Sequence, residues 1–250
     1  MGKIVAVANQ KGGVGKTTTA INLCASLVKR GKKVLLVDCD PQGNATTGMG
    51  VDRHSATSVY DVLLRDVPPT DAVVATRFGD LLASSPDLAG ANVELVDLEA
   101  REYRLKTCLE PLRPAYDYIL IDCPPSLELL TVNSLVAADS VLVPVQAEFY
   151  ALEGLSDLTG TIRRLNQRLN PGLKLEGLVL TMYDGRTKLA SDVAAELRRH
   201  FPGLVYDTAI PRNVRLSEAP SHGMPCLGYD RLSKGARAYL RLANEFLKSQ

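Results

Sequence analysis

An α/β fold, a mainly parallel twisted sheet flanked by helices on both faces, is predicted by three observations. Short continuous apolar runs alternate with stretches of helical periodicity along most of the 250 residues. Several of those runs lack the alternation of a half-wet strand, which marks strands buried on both faces, as in parallel sheets. A glycine-rich stretch, residues 8–19 (ANQKGGVGKTTT), lies directly between the first apolar run and the first helical stretch.

In chain order, residues 4–7 (IVAV) are the first strand. Residues 18–30 read as a helix with Ala20, Leu23, Cys24, Leu27 and Val28 on one face, stopped by Gly31. Residues 34–37 (VLLV) are a second buried strand, leading into DCDPQGN. Between 48 and 80 the pattern is less regular: a helix near 58–65, a turn at Pro68-Pro69 and a further segment before Phe78. Residues 81–85 make a short strand, and 94–112 one or two helices closed by Pro111 and Pro114. Residues 118–121 (YILI) are another buried strand with Asp122 at its exit. Three more strands are expected at 141–145, 178–180 and 205–210, with helices near 151–169, 189–200 and 235–248. Such alternation implies right-handed crossovers, and ligands of such sheets bind beyond the C-terminal ends of the strands. The glycine-rich loop, Asp38, Asp40 and Asp122 all fall there.

Length and a hydrophobic content of 46 % favour a single domain over residues 1–250. No run of eighteen apolar residues occurs, and the N-terminus enters a strand without a charged-then-apolar leader, so a cytoplasmic protein with no N-terminal helix-turn-helix is expected. The five cysteines (Cys24, Cys39, Cys108, Cys123, Cys226) are scattered without a C-x-x-C pair, which argues against a disulfide framework or zinc cluster and for buried small hydrophobes. The net charge of +1 hides an asymmetry. Residues 1–160 hold 14 Lys/Arg against 20 Asp/Glu, a balance of −6, whereas residues 161–250 hold 15 against 8, a balance of +7. A basic C-terminal third suggests a polyanionic partner.

The chemistry sits in the loop. A glycine-rich turn at a helix start offers unpaired backbone N–H groups and the positive end of the peptide dipoles to a polyphosphate. Gly12, Gly13, Val14, Gly15 and Thr18 supply that cradle, Lys16 a point charge for the β- and γ-phosphates, and the Thr17 hydroxyl a Mg²⁺ ligand, the mechanics of a P-loop binding ATP. The motif departs from the usual pattern at Gln10, where a glycine is customary, and carries a second lysine, Lys11. Phosphoryl transfer also needs a group to orient water. Asp122 would hold Mg²⁺ through a water, Asp38 would support the metal shell, and Asp40 would position the attacking water or accept its proton.

With these residues in place, the sequence resembles the short ParA/Soj chromosome-partitioning ATPases over essentially its whole length. KGGVGKTT, LLVDCDPQGNATTG, YILIDCPPS, VPVQAEFYALEGL, LTMYDGRT and AIPRNVRLSEAPSHG all look like blocks of that family. The resemblance implies a P-loop fold of the deviant Walker A type and slow, Mg²⁺-dependent ATP hydrolysis in a nucleotide-sandwich homodimer. It makes Lys16 the phosphate lysine, Lys11 the lysine acting across the dimer, Thr17 the magnesium ligand and Asp40 the hydrolytic acid. It places Glu148 as a dimer-interface partner of Lys11, and Pro211 and Asn213 against the adenine base. It assigns Arg186 and Arg215 to non-specific binding of double-stranded DNA in the ATP state, on the nucleoid, with a ParB-like centromere-binding protein stimulating hydrolysis. Three other readings are weighed. A MinD-like membrane-positioning ATPase would need a basic amphipathic helix beyond the core, whereas residues 234–250 read as a packed terminal helix, so no stable membrane association is expected. A related P-loop enzyme, such as the nitrogenase iron protein or a small-molecule ligase, would need blocks not recognisable here, and a ParA-like protein positioning another cargo stays open.

Overall fold

The computed structural model describes residues 2–54 and 57–250; Met1, Ser55 and Ala56 lie outside the described residues. The chain runs β1 (Lys3–Val7), α1 (Lys16–Lys29), β2 (Val34–Asp38), α2 (Asn44–Gly48), α3 (Val59–Leu64), β3 (Val73–Val74), β4 (Asp80–Leu82), α4 (Ala91–Glu94) and α5 (Arg104–Leu109). It continues through β5 (Tyr118–Asp122), α6 (Leu129–Ala137), β6 (Ser140–Gln146), α7 (Ala151–Arg168), β7 (Lys174–Thr181) and α8 (Lys188–His200), and ends with α9 (Val214–Glu218), α10 (Cys226–Tyr229) and α11 (Lys234–Lys248).

Among the described residues the strands form one seven-stranded sheet in the order β3-β4-β2-β5-β1-β6-β7. Every neighbouring pair is parallel except β3 with β4. The predicted fold class is therefore the observed one. The continuous apolar runs have the cause inferred for them: all five residues of β2 and of β5 are buried, because helices cover both faces. Ile4, Leu35, Val37, Ile119 and Ile121 pack on one face with residues of α3, α5, α6, α7 and α8. Val5, Leu36, Leu120 and Leu142 pack on the other with α1 and α11. Register aligns the strand ends: Val7 and Asp38 both lie opposite Asp122 on the flanking strands, so β1, β2 and β5 release their loops at one level.

Two expectations need correction. Residues 205–210 are not a strand; Val205 makes an isolated bridge with Leu178, and the following Pro211 one with Tyr183. The intervening amides of Asp207 and Thr208 donate instead to the Glu245 carboxylate, at 2.6 and 3.0 Å, which takes them out of the ladder. The helices expected over 94–112 are the end of α4 and α5, but Ala100 between them adopts φ +50°, and Pro111 and Pro114 do not close an α-helix: they lie within a 3₁₀ segment, Glu110–Ala115. Helix α6 was not foreseen, because its apolar run LLTVNSLVA carries Ser134 and Asn133 on a fully buried surface. Both are satisfied internally, Ser134 Oγ donating to the Leu130 carbonyl and Asn133 Nδ2 to the Arg101 carbonyl.

Helix α11 closes the second face with Tyr239, Leu242, Ala243 and Phe246, none more than 1 % exposed, and the Phe246 ring meets Tyr118 edge-on at 5.3 Å. Truncating a fully buried aromatic removes its burial and leaves a cavity, so Phe246→Ala will lower the free energy of unfolding by about 3–5 kcal/mol. Urea unfolding followed by circular dichroism measures this, and a loss under about 1 kcal/mol contradicts the packing described.

Candidate functional site

The loop between β1 and α1 takes a shape that only glycine adopts without strain. Gly13 and Gly15 have φ of +73° and +87°, and Gly15 is the residue from which α1 starts. The loop is fastened from both sides. Thr181 Oγ1, at the end of β7, donates to the Val14 carbonyl at 2.8 Å. Asn9 Oδ1 accepts from the Lys11 amide at 3.0 Å, while Asn9 Nδ2 donates to the Pro144 carbonyl at 2.8 Å. Neither Thr181 nor Asn9 stands out in the sequence; each lies at or beyond a strand end flanking the loop, which is the signal that could have found them.

The two lysines of the loop part company. Lys16 is buried and its Nζ donates to the Lys11 carbonyl at 3.2 Å. Burial lowers its pKa, a tendency opposed by the neighbouring Asp122, Cys123 and Asp40. Lys11 points outward, and its Nζ donates to Glu148 Oε2 at 2.7 Å with both side chains more than two-fifths exposed.

The aspartates gather as the register dictates. Asp38 is fully buried: its Oδ2 accepts from the Thr46 amide and hydroxyl, both at 2.7 Å, and its Oδ1 from the Asp40 amide at 3.2 Å. Burial pushes its pKa up to about 6 despite those donors. Thr46, near the start of α2, is another residue that the sequence does not single out. Asp40 Oδ1 accepts from the Gln42 amide at 2.9 Å, and Ser84 Oγ holds the Asp40 carbonyl at 2.7 Å. Asp122 is different. It is fully buried, and neither carboxylate oxygen has a hydrogen-bond partner. Burial and then the nearby Asp38 charge push its pKa well up, while the Thr17 hydroxyl and Lys16 favour the charged form. A buried, unpartnered carboxylate beside a second carboxylate and a threonine hydroxyl is an all-oxygen setting for a small hard cation. Among the described residues no group of three or more His, Cys, Asp and Glu could hold a metal by itself, so such a cation would draw its remaining ligands from water or a bound phosphate, the habit of Mg²⁺.

Beside the loop opens a cleft of about 460 Å³ lined by Gly15, Thr18, Met182, Pro211, Asn213 and Tyr239, among others. Asn213 Oδ1 is buried there without a donor. The structure thus brings Lys16, Thr17, Thr18, Asp38, Asp40 and Asp122 together, with Pro211 and Asn213 on an adjoining wall.

Arg186 and Arg215 lie elsewhere and are engaged. Arg186 grips Asp184 through Nε and Nη2, at 2.8 and 2.6 Å, and lowers that carboxyl to about 2. Arg215 bonds Glu218 at 2.8 Å, approaches Asp230 at 3.5 Å and lies over the Tyr229 ring. Four of the five cysteines are buried and Cys108 is partly so; all are free, as expected of packing residues.

The family model AAA_31, an AAA domain, matches residues 2–175. The chain is 55 % identical to the sporulation initiation inhibitor protein Soj of Bacillus subtilis, over 98 % of each chain. It is 53 % identical to the chromosome partitioning protein ParA of Myxococcus xanthus, over 99 % of this chain and 89 % of that one. Among solved structures, a protein of Mycobacterium smegmatis described as cobyrinic acid a,c-diamide synthase, with bound ADP and magnesium, superposes with a TM-score of 0.86 at 42 % identity, covering 99 % of this chain and 95 % of that one. A site built on a P-loop and three strand-end aspartates, in a chain alike over its full length to Soj and ParA, makes this protein a member of the Soj/ParA family of chromosome-partitioning ATPases.

Proposed function

We propose that this chain hydrolyses ATP with Mg²⁺ in a site completed by a second copy of itself, and that the resulting homodimer binds double-stranded DNA without sequence preference. The observation that carries the reading is the division of labour between the loop's lysines. Lys16 is buried on the cradle of its own chain, while Lys11 stands at the rim with its ammonium turned outward to an exposed carboxylate. One lysine serves the chain's own nucleotide; the other is free to reach a partner's.

In this reading the amides of Gly12 to Thr18 and the Lys16 ammonium hold the β- and γ-phosphates, and Thr17 and Asp122 hold the metal, with Asp38 behind them. Mg²⁺ held there would supply positive charge to the β- and γ-phosphate oxygens. Asp40 orients the water whose oxygen bonds to the γ-phosphorus as the bridging oxygen leaves with ADP, and receives its proton. The Asn213 side-chain oxygen Oδ1, buried without a donor, suits an adenine amino group, and Pro211 supplies an apolar wall beside it. The magnesium and ADP named for the Mycobacterium smegmatis structure support the choice of ligands. Glu148 exchanges its own Lys11 for contacts across the interface. A ParB-like, DNA-bound partner accelerates hydrolysis and so releases the dimer from the nucleoid. Phosphate contacts carry such binding and make it salt-dependent, while pairing two chains doubles the contact face.

Three measurements test this. Asp40→Ala, which keeps the cradle but loses the water-orienting carboxylate, will accumulate as an ATP-loaded dimer seen by light scattering; a monomer under saturating ATP and Mg²⁺ contradicts its role. Lys11→Ala will retain ATP binding within about threefold yet fail to dimerise, and an unaltered dimer refutes action across the interface. Unrelated duplex DNA will be bound with ATP and not with ADP, with affinity falling steeply between about 50 and 200 mM salt. Equal binding in both nucleotide states removes the ATP switch.

A further inference from the structure

The two arginines assigned to DNA by resemblance are both ion-paired within the chain. Arg186 is bidentate on Asp184, and Arg215 lies between Glu218 and Asp230. A row of unpaired positive charge lies on α11. Lys234, Arg237, Arg241 and Lys248 are all exposed and stand at i, i+3, i+7 and i+14, one straight stripe on a helix. At 1.5 Å per residue it is about 21 Å long. None of the four makes an ion pair with any described residue. The single acid of α11, Glu245, accepts from the Asp207 and Thr208 amides and makes no ion pair with the stripe, which keeps a net positive charge of four cations against one acid. Exposed Arg231 adds a further cation, unpaired among the described residues, just before the helix.

The stripe joins the Arg215 region. Gly235 lets Leu216 of α9 approach so closely that a Cβ there would meet its side chain at 2.6 Å. The opposite face of the same helix reaches the nucleotide cleft: Tyr239 lines it, and its hydroxyl hydrogen-bonds Thr19 of α1 at 3.1 Å. A single rigid element thus has the P-loop helix on one side and a row of unpaired cations on the other.

We propose that the exposed face of α11, Lys234–Arg237–Arg241 with Lys248 and Arg231 at its ends, is the surface on which this chain holds the phosphates of duplex DNA. The inference rests on the DNA-binding reading given above and assigns its location. A row of unpaired cations carrying a net positive charge suits a polyanion of regular charge spacing. An anionic membrane is the weaker fit, because an interfacial helix inserts its apolar face, and that of α11 is consumed by the core through Leu242, Ala243 and Phe246, each 0 % exposed.

The test compares two charge-matched triple variants of the full chain. Lys234→Gln/Arg237→Gln/Arg241→Gln removes three charges from the stripe, whereas Arg163→Gln/Arg164→Gln/Arg168→Gln removes three exposed charges from α7, which packs on the other side of the sheet. Fluorescence anisotropy with a labelled random duplex and ATP is recorded across salt, alongside co-sedimentation with phosphatidylserine vesicles, and melting temperatures establish that both variants fold. The α11 variant will bind at least about tenfold more weakly at 100 mM salt, with its log–log salt slope reduced by about 2 or more, while the α7 variant keeps the wild-type slope. Arg237→Lys/Arg241→Lys, which retains the charge, will keep it too. An unaltered slope in the α11 variant, an equal loss in both variants, or a loss confined to vesicle binding overturns the assignment. Wild-type protein that fails to bind the duplex with ATP would overturn the DNA-binding reading itself, and so the outcomes are distinct.

Discussion

The structure depends on an electrostatic problem that the sheet creates. Parallel register brings Asp38 and Asp122 side by side at the ends of β2 and β5, fully buried. Burial disfavours both as anions, and the charge of Asp38 raises the pKa of Asp122 further. Asp38 is compensated by Thr46 and the Asp40 amide; Asp122 has no hydrogen-bond partner. The neighbouring cation, Lys16, is itself desolvated and held by the Lys11 carbonyl. A site with two buried carboxylates and one partly disfavoured ammonium gains from a divalent cation and from a polyphosphate bound on the adjoining loop amides. The fold concentrates mismatched charge at the point where ligands of opposite sign can resolve it together.

The proposed chain-to-chain completion rests on how few groups remain. Once Lys16 is committed to the cradle, no other lysine of the loop faces inward, and Lys11 is turned to Glu148 across an exposed gap. An exposed ion pair of this kind is worth at most about 1 kcal/mol, so a partner's phosphates can readily displace Glu148. The same economy holds on α11, where the buried face packs against α1 and the exposed face keeps its cations unpaired. The proposed nucleotide cleft and DNA surface then lie on opposite faces of α11, with Tyr239 on the cleft side.

Much of this was legible in the sequence because each signal was local. The runs 4–7, 34–37 and 118–121 carry their burial in their composition, and the loop 8–19 carries its glycines and lysines at fixed spacing. What was hidden was decided by long-range pairing. Residues 205–210 look like a strand, but the carboxylate of Glu245 captures the amides that a ladder would need. Helix α6 buries Asn133 and Ser134, whose partners lie elsewhere in space or on the helix itself. Thr46 and Thr181 steady the site through hydrogen bonds to Asp38 and Val14, and a lone threonine gives no hint of its acceptor. Arg186 and Arg215 stood out by their motifs, yet only side-chain geometry reveals that Asp184, Glu218 and Asp230 occupy them.

The central claim is that one chain alone does not hold a complete hydrolytic site. Steady-state ATP turnover per chain, measured as chain concentration is raised with ATP and Mg²⁺ saturating, addresses it directly. The shared-site account predicts that turnover per chain climbs with concentration and levels off once the dimer dominates. Turnover per chain that stays constant from the lowest concentration at which the protein is monomeric would contradict it.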